Sequence, residues 1–330
     1  MIKKWKTKIV ILFFVYQLLF IVVTAPIYIY KGPFITLKKM VVATIMGTQH
    51  QYFVTSFLSQ DEINRIIKSS NLSQNTNKVK VNKVKIKINN NKNNEIIRYN
   101  IKPDSGRYDG YLLEIPPSFK VKVAYTNKLG SQGQRTSEMA KNHDALAAIN
   151  GGSFHDNTNN SYGGSAAFPG GFVISNNIVA YKEVGEDVPC SVTAFTKSGR
   201  LLVGNYSINE LKKSDVSEAL CFRPPALIIN TKSQINADDA GSDGFQPRTA
   251  IGQTSDGTIL FLVMDGRENL VKSGATLKDA QDELLKHGAV NATCLDGGFS
   301  STLYYDGKVI NNPHGWNGER YVATALYVSP

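Results

Sequence analysis

Residues 248–267 have the sequence RTAIGQTSDGTILFLVMDGR, and the fold prediction starts from this stretch. Two runs that favour β-structure, Thr249–Gln253 and Ile259–Met264, are separated by Ser255-Asp-Gly257, which is typical of a tight turn. Short runs rich in β-branched and aromatic residues between such turns predict β-strands. The second run ends in Asp265-Gly-Arg267, so polar side chains follow directly on an apolar strand.

Strand-like runs of the same kind occur on both sides of this stretch. Ala145–Ile149 leads into Asn150-Gly-Gly-Ser-Phe154, and Val290–Leu295 leads into Asp296-Gly-Gly-Phe-Ser-Ser-Thr302. Helical patterns are few, and the clearest covers Thr276–His287, where Thr276 and Asp279 resemble a capping box. We therefore expect an α+β fold with an antiparallel or mixed sheet and few helices, preceded by an N-terminal transmembrane helix.

Polar residues flanked by glycine lie at the ends of these runs. Glycine lets the backbone turn sharply or approach a ligand closely, so a polar side chain beside it can face a binding site. A single Asp-Gly pair more often caps a turn by accepting backbone N–H groups. Because such clusters place Asn150, Arg248, Asp265 and Asp296 on distant segments, the sequence predicts one site assembled from all of them.

The ordered set of motifs resembles the phosphodiester glycosidase family over roughly residues 105–330. The resemblance is carried by Arg248-Thr249, Asp265-Gly266 and Asp296-Gly297-Gly298, followed by Ser300-Ser301-Thr302. Members of that family include the enzyme that uncovers mannose 6-phosphate by removing N-acetylglucosamine, and bacterial surface proteins described as exopolysaccharide biosynthesis proteins. The resemblance implies a hydrolase that cleaves a sugar's anomeric bond to a phosphodiester oxygen. No cofactor is expected, and the expected site residues include no metal ligand.

The expected site residues follow from the resemblance and from their chemistry. Asp265 and Asp296 are the expected catalytic pair, since two carboxylates can supply acid, base or nucleophile in glycoside hydrolysis, and which is which stays open. Guanidinium groups match phosphate oxygens in shape and charge. Arg267 is left out, because relatives vary after the Asp-Gly pair. The expected substrate-binding residues are Asn150, Gly151, Gly152, Arg248, Thr249, Gly297, Gly298, Ser300, Ser301 and Arg320.

An alternative from another class stays open. The same domain could be a non-catalytic protein that binds a glycan or another anionic polymer during envelope assembly. The intact Asp265 and Asp296 argue against this alternative, and Phe299 keeps it open, because relatives usually carry a small residue at that position of the motif. A third reading is a structural envelope protein that depends mainly on its N-terminal region.

Positive charge is concentrated in the first third of the chain. The formal net charge is +10, but residues 1–103 carry +14 and residues 104–330 carry −4. An acidic motif-bearing region argues against an enzyme that acts on nucleic acid. The expected partner at the basic N-terminal region is a membrane surface, and no nucleic acid is expected. The family resemblance implies a sugar-phosphodiester or glycopolymer as the substrate.

The N-terminal region has the features of a membrane anchor. Ile9–Tyr30 contains no charged residue, and its 22 positions suffice to span a bilayer core. Lysines precede the run, so the positive-inside rule places the N-terminus in the cytoplasm and the remainder outside. A cleaved signal peptide is the alternative, but its apolar core is usually about 7–15 residues. We expect an uncleaved, single-pass signal anchor in the cell membrane.

Composition suggests four segments. Residues 1–31 form the cytoplasmic N-terminus and signal anchor, and residues 32–70 form an amphipathic, juxtamembrane helical segment. Residues 71–104 are an Asn/Lys-rich linker, in which little apolar area is available to offset the entropy of ordering. Residues 105–330 form the phosphodiester glycosidase-like domain.

The chain has three cysteines, Cys190, Cys221 and Cys294, so at most one intrachain disulfide leaves one thiol over. Cys190 and Cys221 could pair if adjacent strands bring them together. Three buried, reduced cysteines are an equally good reading. No C-x-x-C pair is present, and no metal site is expected.

Overall fold

The computed structural model describes residues 2–46, 50–70, 86–88, 95–156, 164–222, 226–236, 243–269, 271–313 and 318–329. The chain forms two compact units. The first comprises residues 1–71 and 242–244, and the second comprises residues 72–241 and 245–330.

The first unit is helical. Its helices are α1 (Ile2–Lys31), α2 (Ile35–Met46), α3 (Tyr52–Thr55) and α4 (Gln60–Ser70). Within the described residues, Lys8–Lys31 is the segment that is long and apolar enough to cross a membrane, with a mean hydropathy of 2.5. The backbone N–H of Glu62 donates to Ser59 Oγ at 3.2 Å, so Ser59 caps the N-terminus of α4.

The second unit is built mainly from β-strands, and every strand pairing is antiparallel. Its helices are α5 (Thr136–Asn142), α6 (Ile208–Lys213) and α7 (Leu277–Lys286). The strands are β1 (Ile97–Ile101), β2 (Gly110–Ile115), β3 (Lys120–Tyr125), β4 (Ala147–Asn150), β5 (Phe154–His155), β6 (Phe168–Pro169), β7 (Phe172–Ser175), β8 (Ile178–Lys182), β9 (Cys190–Thr196), β10 (Leu201–Tyr206), β11 (Val216–Cys221), β12 (Ala226–Ile229), β13 (Lys232–Ser233), β14 (Arg248–Thr254), β15 (Ile259–Met264), β16 (Ala289–Cys294), β17 (Leu303–Tyr305), β18 (Lys308–Val309) and β19 (Thr324–Ser329). The predicted α+β class with few helices is confirmed.

The strands form three larger sheets and one small one. The largest has the order β1-β2-β15-β14-β16-β12-β13. The second sheet has the order β10-β9-β11-β7-β8, the third has β18-β17-β4-β19-β3, and β5 pairs with β6.

The central strands of the largest sheet are buried on both faces. Alternate residues of a strand point to opposite faces, so neighbours in β15 pack into different clusters. Leu262 packs with Leu284 of α7, whereas Phe261 packs with Ile149 of β4 and Leu326 of β19. Coverage on both faces explains why these strands are continuous apolar runs.

Helix α7 begins and ends where the sequence predicts. The backbone N–H of Asp279 donates to Thr276 Oγ1 at 3.0 Å, and Asp279 Oδ2 accepts from the backbone N–H of Thr276 at 2.8 Å. The capping box with Asp in place of Glu is therefore confirmed. Gly288, with a φ of +80°, follows the helix in the left-handed conformation that glycine tolerates best.

The segment predicted as a linker contains a strand. β1 pairs with β2 along its whole length, from Ile97 opposite Glu114 to Ile101 opposite Gly110. Cross-strand hydrogen bonds therefore order the C-terminal part of the Asn/Lys-rich stretch. Residues 71–85 and 89–94 of the predicted linker lie outside the described residues, and the domain boundaries stay a prediction.

Candidate active site

The topology of the largest sheet brings three of the sequence motifs together. Strand β14 lies between β15 and β16 and is antiparallel to both, so its first residue meets their last residues. Arg248 lies opposite Met264, and Ala250 lies opposite Cys294. Asp265 and Asp296 therefore follow on both sides of the strand that begins with Arg248.

Asn150 joins the third sheet to this sheet edge. Its Nδ2 donates to the carbonyl of Asp296 at 2.6 Å, while its Oδ1 accepts from Thr249 Oγ1 at 2.7 Å. The same oxygen accepts from the backbone N–H of Thr302 at 3.1 Å. Because Asn150 is fully buried, these bonds fix the relative positions of three motifs.

The two glycines after Asn150 are explained by close backbone packing. An added Cβ at Gly151 would lie 2.3 Å from Thr324 Oγ1, and one at Gly152 would lie 1.9 Å from the carbonyl oxygen of Cys221. The space beside these glycines is therefore occupied by neighbouring strands. A substrate-binding role for them stays a prediction.

The Asp-Gly-Gly motif forms a tight turn against the start of β14. Gly298 has a φ of +62°, and its backbone N–H donates to the carbonyl of Pro247 at 2.8 Å. An added Cβ at Gly297 would lie 2.8 Å from that same carbonyl oxygen. Both positions require glycine, and the turn leaves the preceding Asp296 only partly buried.

The two predicted catalytic carboxylates have different surroundings. Asp265 is 2% exposed, with Oδ1 accepting from Asn311 Nδ2 at 2.8 Å and Oδ2 accepting from the backbone N–H of Asn312 at 2.9 Å. Asn311 Nδ2 also donates to the carbonyl of Ser301 at 3.1 Å. Through Asn311 and Asn312, Asp265 holds the chain after β18 against the Ser300-Ser301-Thr302 motif. Asp296, in contrast, is only partly buried.

Arg267 lies close enough to both Arg248 and Asp296 to feel the charge of each. Arg248 is 4% exposed, and its Nε donates to the carbonyl of Ala275 at 3.0 Å. Burial and the charge of Arg248 lower the pKa of Arg267 to about 10, and Asp296 acts in the opposite direction. Two guanidinium groups in a mostly buried environment are a costly arrangement unless an anion joins them.

Arg267 is held against the Asp-Gly-Gly turn. Its Nη2 donates to Gln246 Oε1 at 3.2 Å, and its guanidinium carbon lies 5.1 Å from the centre of the Phe299 ring. An added Cβ at Gly298 would lie 3.1 Å from Arg267 Nη1. Arg267 itself has a φ of +61°, so its backbone is in the left-handed region that non-glycine residues rarely adopt.

Several buried polar side-chain atoms of these motifs have no protein partner within the described residues. Buried polar atoms are normally hydrogen-bonded, so a group of unpaired ones in sequence motifs indicates a place for a polar ligand. They are Arg267 Nε, Ser300 Oγ, Ser301 Oγ, Thr302 Oγ1 and Arg320 Nε.

A family model described as phosphodiester glycosidase matches residues 143–329. The chain belongs to the phosphodiester glycosidase family. All the predicted site residues lie inside the matched region.

Solved structures show the same fold. The catalytic domain of zebrafish N-acetylglucosamine-1-phosphodiester alpha-N-acetylglucosaminidase, auto-inhibited by its pro-peptide, has a TM-score of 0.59 and 19% identity. The similarity covers 74% of this chain and 87% of that one. A protein of Burkholderia pseudomallei K96243 described as exported has a TM-score of 0.50 and 17% identity, over 68% of this chain and 74% of that one.

A curated relative matches a short part of the chain. YomE, described as an SPbeta prophage-derived protein of Bacillus subtilis strain 168, is 50% identical over 66 residues. The match covers 20% of this chain and 10% of YomE. The chain thus spans about a tenth of the length of that relative.

Arg320 contacts the short strand that follows Asn150-Gly151-Gly152. Its guanidinium carbon is 4.8 Å from the centre of the Phe154 ring, next to the small β5–β6 sheet. The neighbouring Glu319 accepts from the backbone N–H of Ser137 at 2.9 Å. His155 is largely exposed and pairs with Glu183 at 3.2 Å.

Sequence reasoning left out two residues of this candidate site. Arg267 comes three residues after the end of β15, in the Asp265-Gly266-Arg267 motif, and this closeness to the motif was the available signal. Asn311 gave none, because its contacts with Asp265 and Ser301 depend on the path of the chain after β18. Among the described residues, no group of three or more His, Cys, Asp or Glu side chains is arranged to hold a metal ion.

Proposed function

We propose that the protein hydrolyses the glycosidic bond of a sugar-1-phosphodiester and releases free sugar and a phosphomonoester. The observation that carries this proposal is Arg267, which feels the charges of both Arg248 and the partly buried Asp296. Two guanidinium groups can bind the negatively charged phosphodiester. A carboxylate can act at the anomeric carbon to which the phosphodiester is attached.

The arginine pair supplies the electrostatic part of the reaction. When the anomeric bond breaks, negative charge develops on the leaving phosphate oxygen. Arg248 and Arg267 are already held by hydrogen bonds to Ala275 and Gln246, so they stabilise that charge without reorganising. The unpaired hydroxyls of Ser300, Ser301 and Thr302 offer further donors to the substrate.

Asp296 acts at the anomeric carbon, either as the nucleophile or as the base that takes a proton from the attacking water. Asp265 has both carboxylate oxygens engaged by Asn311 and Asn312. We therefore assign Asp265 a positioning role in this reaction, which departs from the catalytic role predicted from the sequence. Phosphate is a good leaving group, so the reaction does not require a strong general acid.

We place the reaction outside the cytoplasm, at the membrane surface. The apolar helix segment Lys8–Lys31 and the lysines before it support a single-pass anchor with a cytoplasmic N-terminus. A surface glycopolymer or an exopolysaccharide with sugar-1-phosphodiester linkages is the substrate class that suits this location.

A second candidate function is non-catalytic binding of an anionic glycan. It is favoured by the contact between Phe299 and Arg267, because an aromatic ring over a guanidinium narrows the space beside Asp296. Both functions use the same cationic site, and only hydrolysis requires the carboxylate.

The test uses the full chain purified in detergent, with UDP-N-acetylglucosamine and a panel of sugar-1-phosphate diesters. Free reducing sugar is quantified for the wild type, for Asp296→Asn, and for Asp306→Asn as a matched control at an exposed turn. We expect release by the wild type and the control only. If a folded wild type releases no sugar from any diester but binds the anionic glycan, the binding function replaces hydrolysis.

A further inference from the structure

Two of the three cysteines lie side by side, away from the proposed catalytic groups. Cys190 begins β9 and Cys221 ends β11, and these strands are paired, with Cys221 opposite Val192. Each thiol is close enough to the other to affect its acidity. A Cβ added at Gly171 would lie 2.9 Å from Cys221 Sγ and 3.5 Å from Cys190 Sγ, so both sulfur atoms lie over one glycine.

The two thiols differ in exposure and acidity. Cys190 is partly exposed, and the hydrogen bond from Cys221 lowers the pKa of its thiol to about 7 against the opposing effects of burial and of Glu183. Cys221 is 5% exposed, and its contact with Cys190 together with burial raises the pKa of its thiol. Cys190 is therefore the thiol that is both accessible and substantially ionised near neutral pH.

We propose that Cys190 and Cys221 form a disulfide by exchange with an external disulfide, either a small molecule or an oxidising protein. The Cys190 thiolate attacks one sulfur of the donor, which forms a mixed disulfide and releases the other donor sulfur as a thiolate. Cys221 then loses its proton and attacks Cys190 Sγ, which releases the second donor thiolate. Two cysteine thiols are oxidised to one disulfide, and one donor disulfide is reduced to two thiols.

The bond would stiffen the wall behind Asn150-Gly151-Gly152-Ser153. The carbonyl of Cys221 accepts from the backbone N–H of Ser153 at 3.0 Å and from Ser153 Oγ at 3.3 Å. Gly152 packs directly on that carbonyl. A link between β9 and β11 therefore fixes the strand end to which this loop is bonded, independently of any catalytic activity.

Cys294 takes no part in the exchange. It is buried in β16, in the apolar cluster that contains α7, whereas Cys190 and Cys221 belong to the cluster around β9 and β11. Cys190 and Cys221 therefore form the pair, and Cys294 is the thiol left over from the odd number of cysteines.

The test uses the full chain in detergent, fully reduced, then equilibrated with oxidised and reduced glutathione, unfolded and alkylated. Mass spectrometry should find a monomer with a Cys190–Cys221 link and alkylation at Cys294 alone, and reduction should restore three alkylated sites. Cys294→Ser should keep the link and lose the remaining alkylation. In Cys190→Ser the link should be absent and Cys221 should be alkylated.

A second readout is thermal unfolding. We expect the oxidised wild type to unfold several degrees above the reduced wild type, and this difference to be absent in Cys190→Ser. Alkylation of all three cysteines after glutathione treatment would overturn the proposal, as would a persistent glutathione adduct on Cys190 or a link between two chains.

Discussion

Thr249 Oγ1 donates a 2.7 Å hydrogen bond to Asn150 Oδ1, and this buried bond joins the central strand of the largest sheet to the third sheet. Thr249 follows Arg248, and Asn150 also holds the carbonyl of Asp296. This amide side chain therefore adds to the strand pairing that sets the position of the arginine relative to the carboxylate.

Replacement of Thr249 by Val should destabilise the protein and disturb the site together. The change removes the hydroxyl that donates to Asn150 Oδ1 and leaves that oxygen with the backbone N–H of Thr302 as its remaining donor among the described residues. The expected loss is about 1–2 kcal/mol, measured as a lower unfolding temperature. Thr249→Ser keeps the hydroxyl and is the matched control. Equal stability of Thr249→Val and wild type would contradict the proposed role of this bond.

Asp265→Asn should lower stability as well as activity, whereas Asp296→Asn should lower activity alone. The side chain of Asp265 accepts from two donors, Asn311 Nδ2 and the backbone N–H of Asn312. An asparagine at this position has only one acceptor oxygen, so its NH₂ group would face one of these donors and that hydrogen bond would be lost. We expect a cost of about 1.5–3 kcal/mol for the lost charge-assisted bonds.

Thermal unfolding of the two variants, with sugar release assayed in parallel, separates the two roles. If Asp265→Asn unfolds like the wild type and loses all sugar release, then Asp265 acts on the substrate, as the sequence first predicted. If Asp296→Asn is the less stable of the two, the assignment of the open carboxylate is wrong.

Local signals in the sequence were enough to predict much of the second unit. The strands around the Ser255-Asp-Gly257 turn and the caps of α7 depend on residues within a few positions of each other, so composition and spacing predict them. The sequence predicted that Arg248, Asp265 and Asp296 share one site, but it did not predict which strands are neighbours. The pairing that brings them together is set by sheet order, which the sequence does not display.

The contacts that the sequence did not predict are those between distant segments. Asn150 is 99 residues from Thr249 and 152 from Thr302, so no local pattern indicates that its amide joins them. Gly151 and Gly152 suggested room for a ligand, but their small size is required by Thr324 and Cys221, on strands that come later in the chain.

Arg267→Lys should weaken the use of phosphodiester substrates even though the charge is conserved. A lysine lacks the planar fork, which both stacks on Phe299 and donates to Gln246. We expect kcat/KM to fall by about 10²-fold, similar to the loss of one preorganised donor to a developing negative charge. Arg98→Lys, on an exposed part of β1, is the matched control and should have no effect.

The two kinetic constants distinguish a direct role from a structural one. A group that stabilises the leaving phosphate should lower kcat more than it raises KM. Wild-type kinetics in Arg267→Lys would remove Arg267 from the phosphate site, and a lower unfolding temperature with unchanged kcat would make it a packing residue.

In the reduced protein, alkylation of Cys190 should increase with pH around a midpoint of about 7. The thiolate is the reactive form of cysteine. Because the pKa of Cys190 is lowered from 9.0 to about 7, the rate of alkylation should rise as the pH passes through 7. The rate should level off at a lower pH than it would for an ordinary thiol. Glu183 and Cys221 are the groups that act on this thiol, and Glu183→Gln should move the midpoint down because it removes a negative charge that disfavours the thiolate.

The midpoint is measured by site-resolved mass spectrometry after brief iodoacetamide pulses at successive pH values. Cys221→Ala removes the group that can donate to Cys190 and should move the midpoint up. A midpoint near 7 that persists in Cys221→Ala would show that Cys221 is not the cause of the lowered pKa.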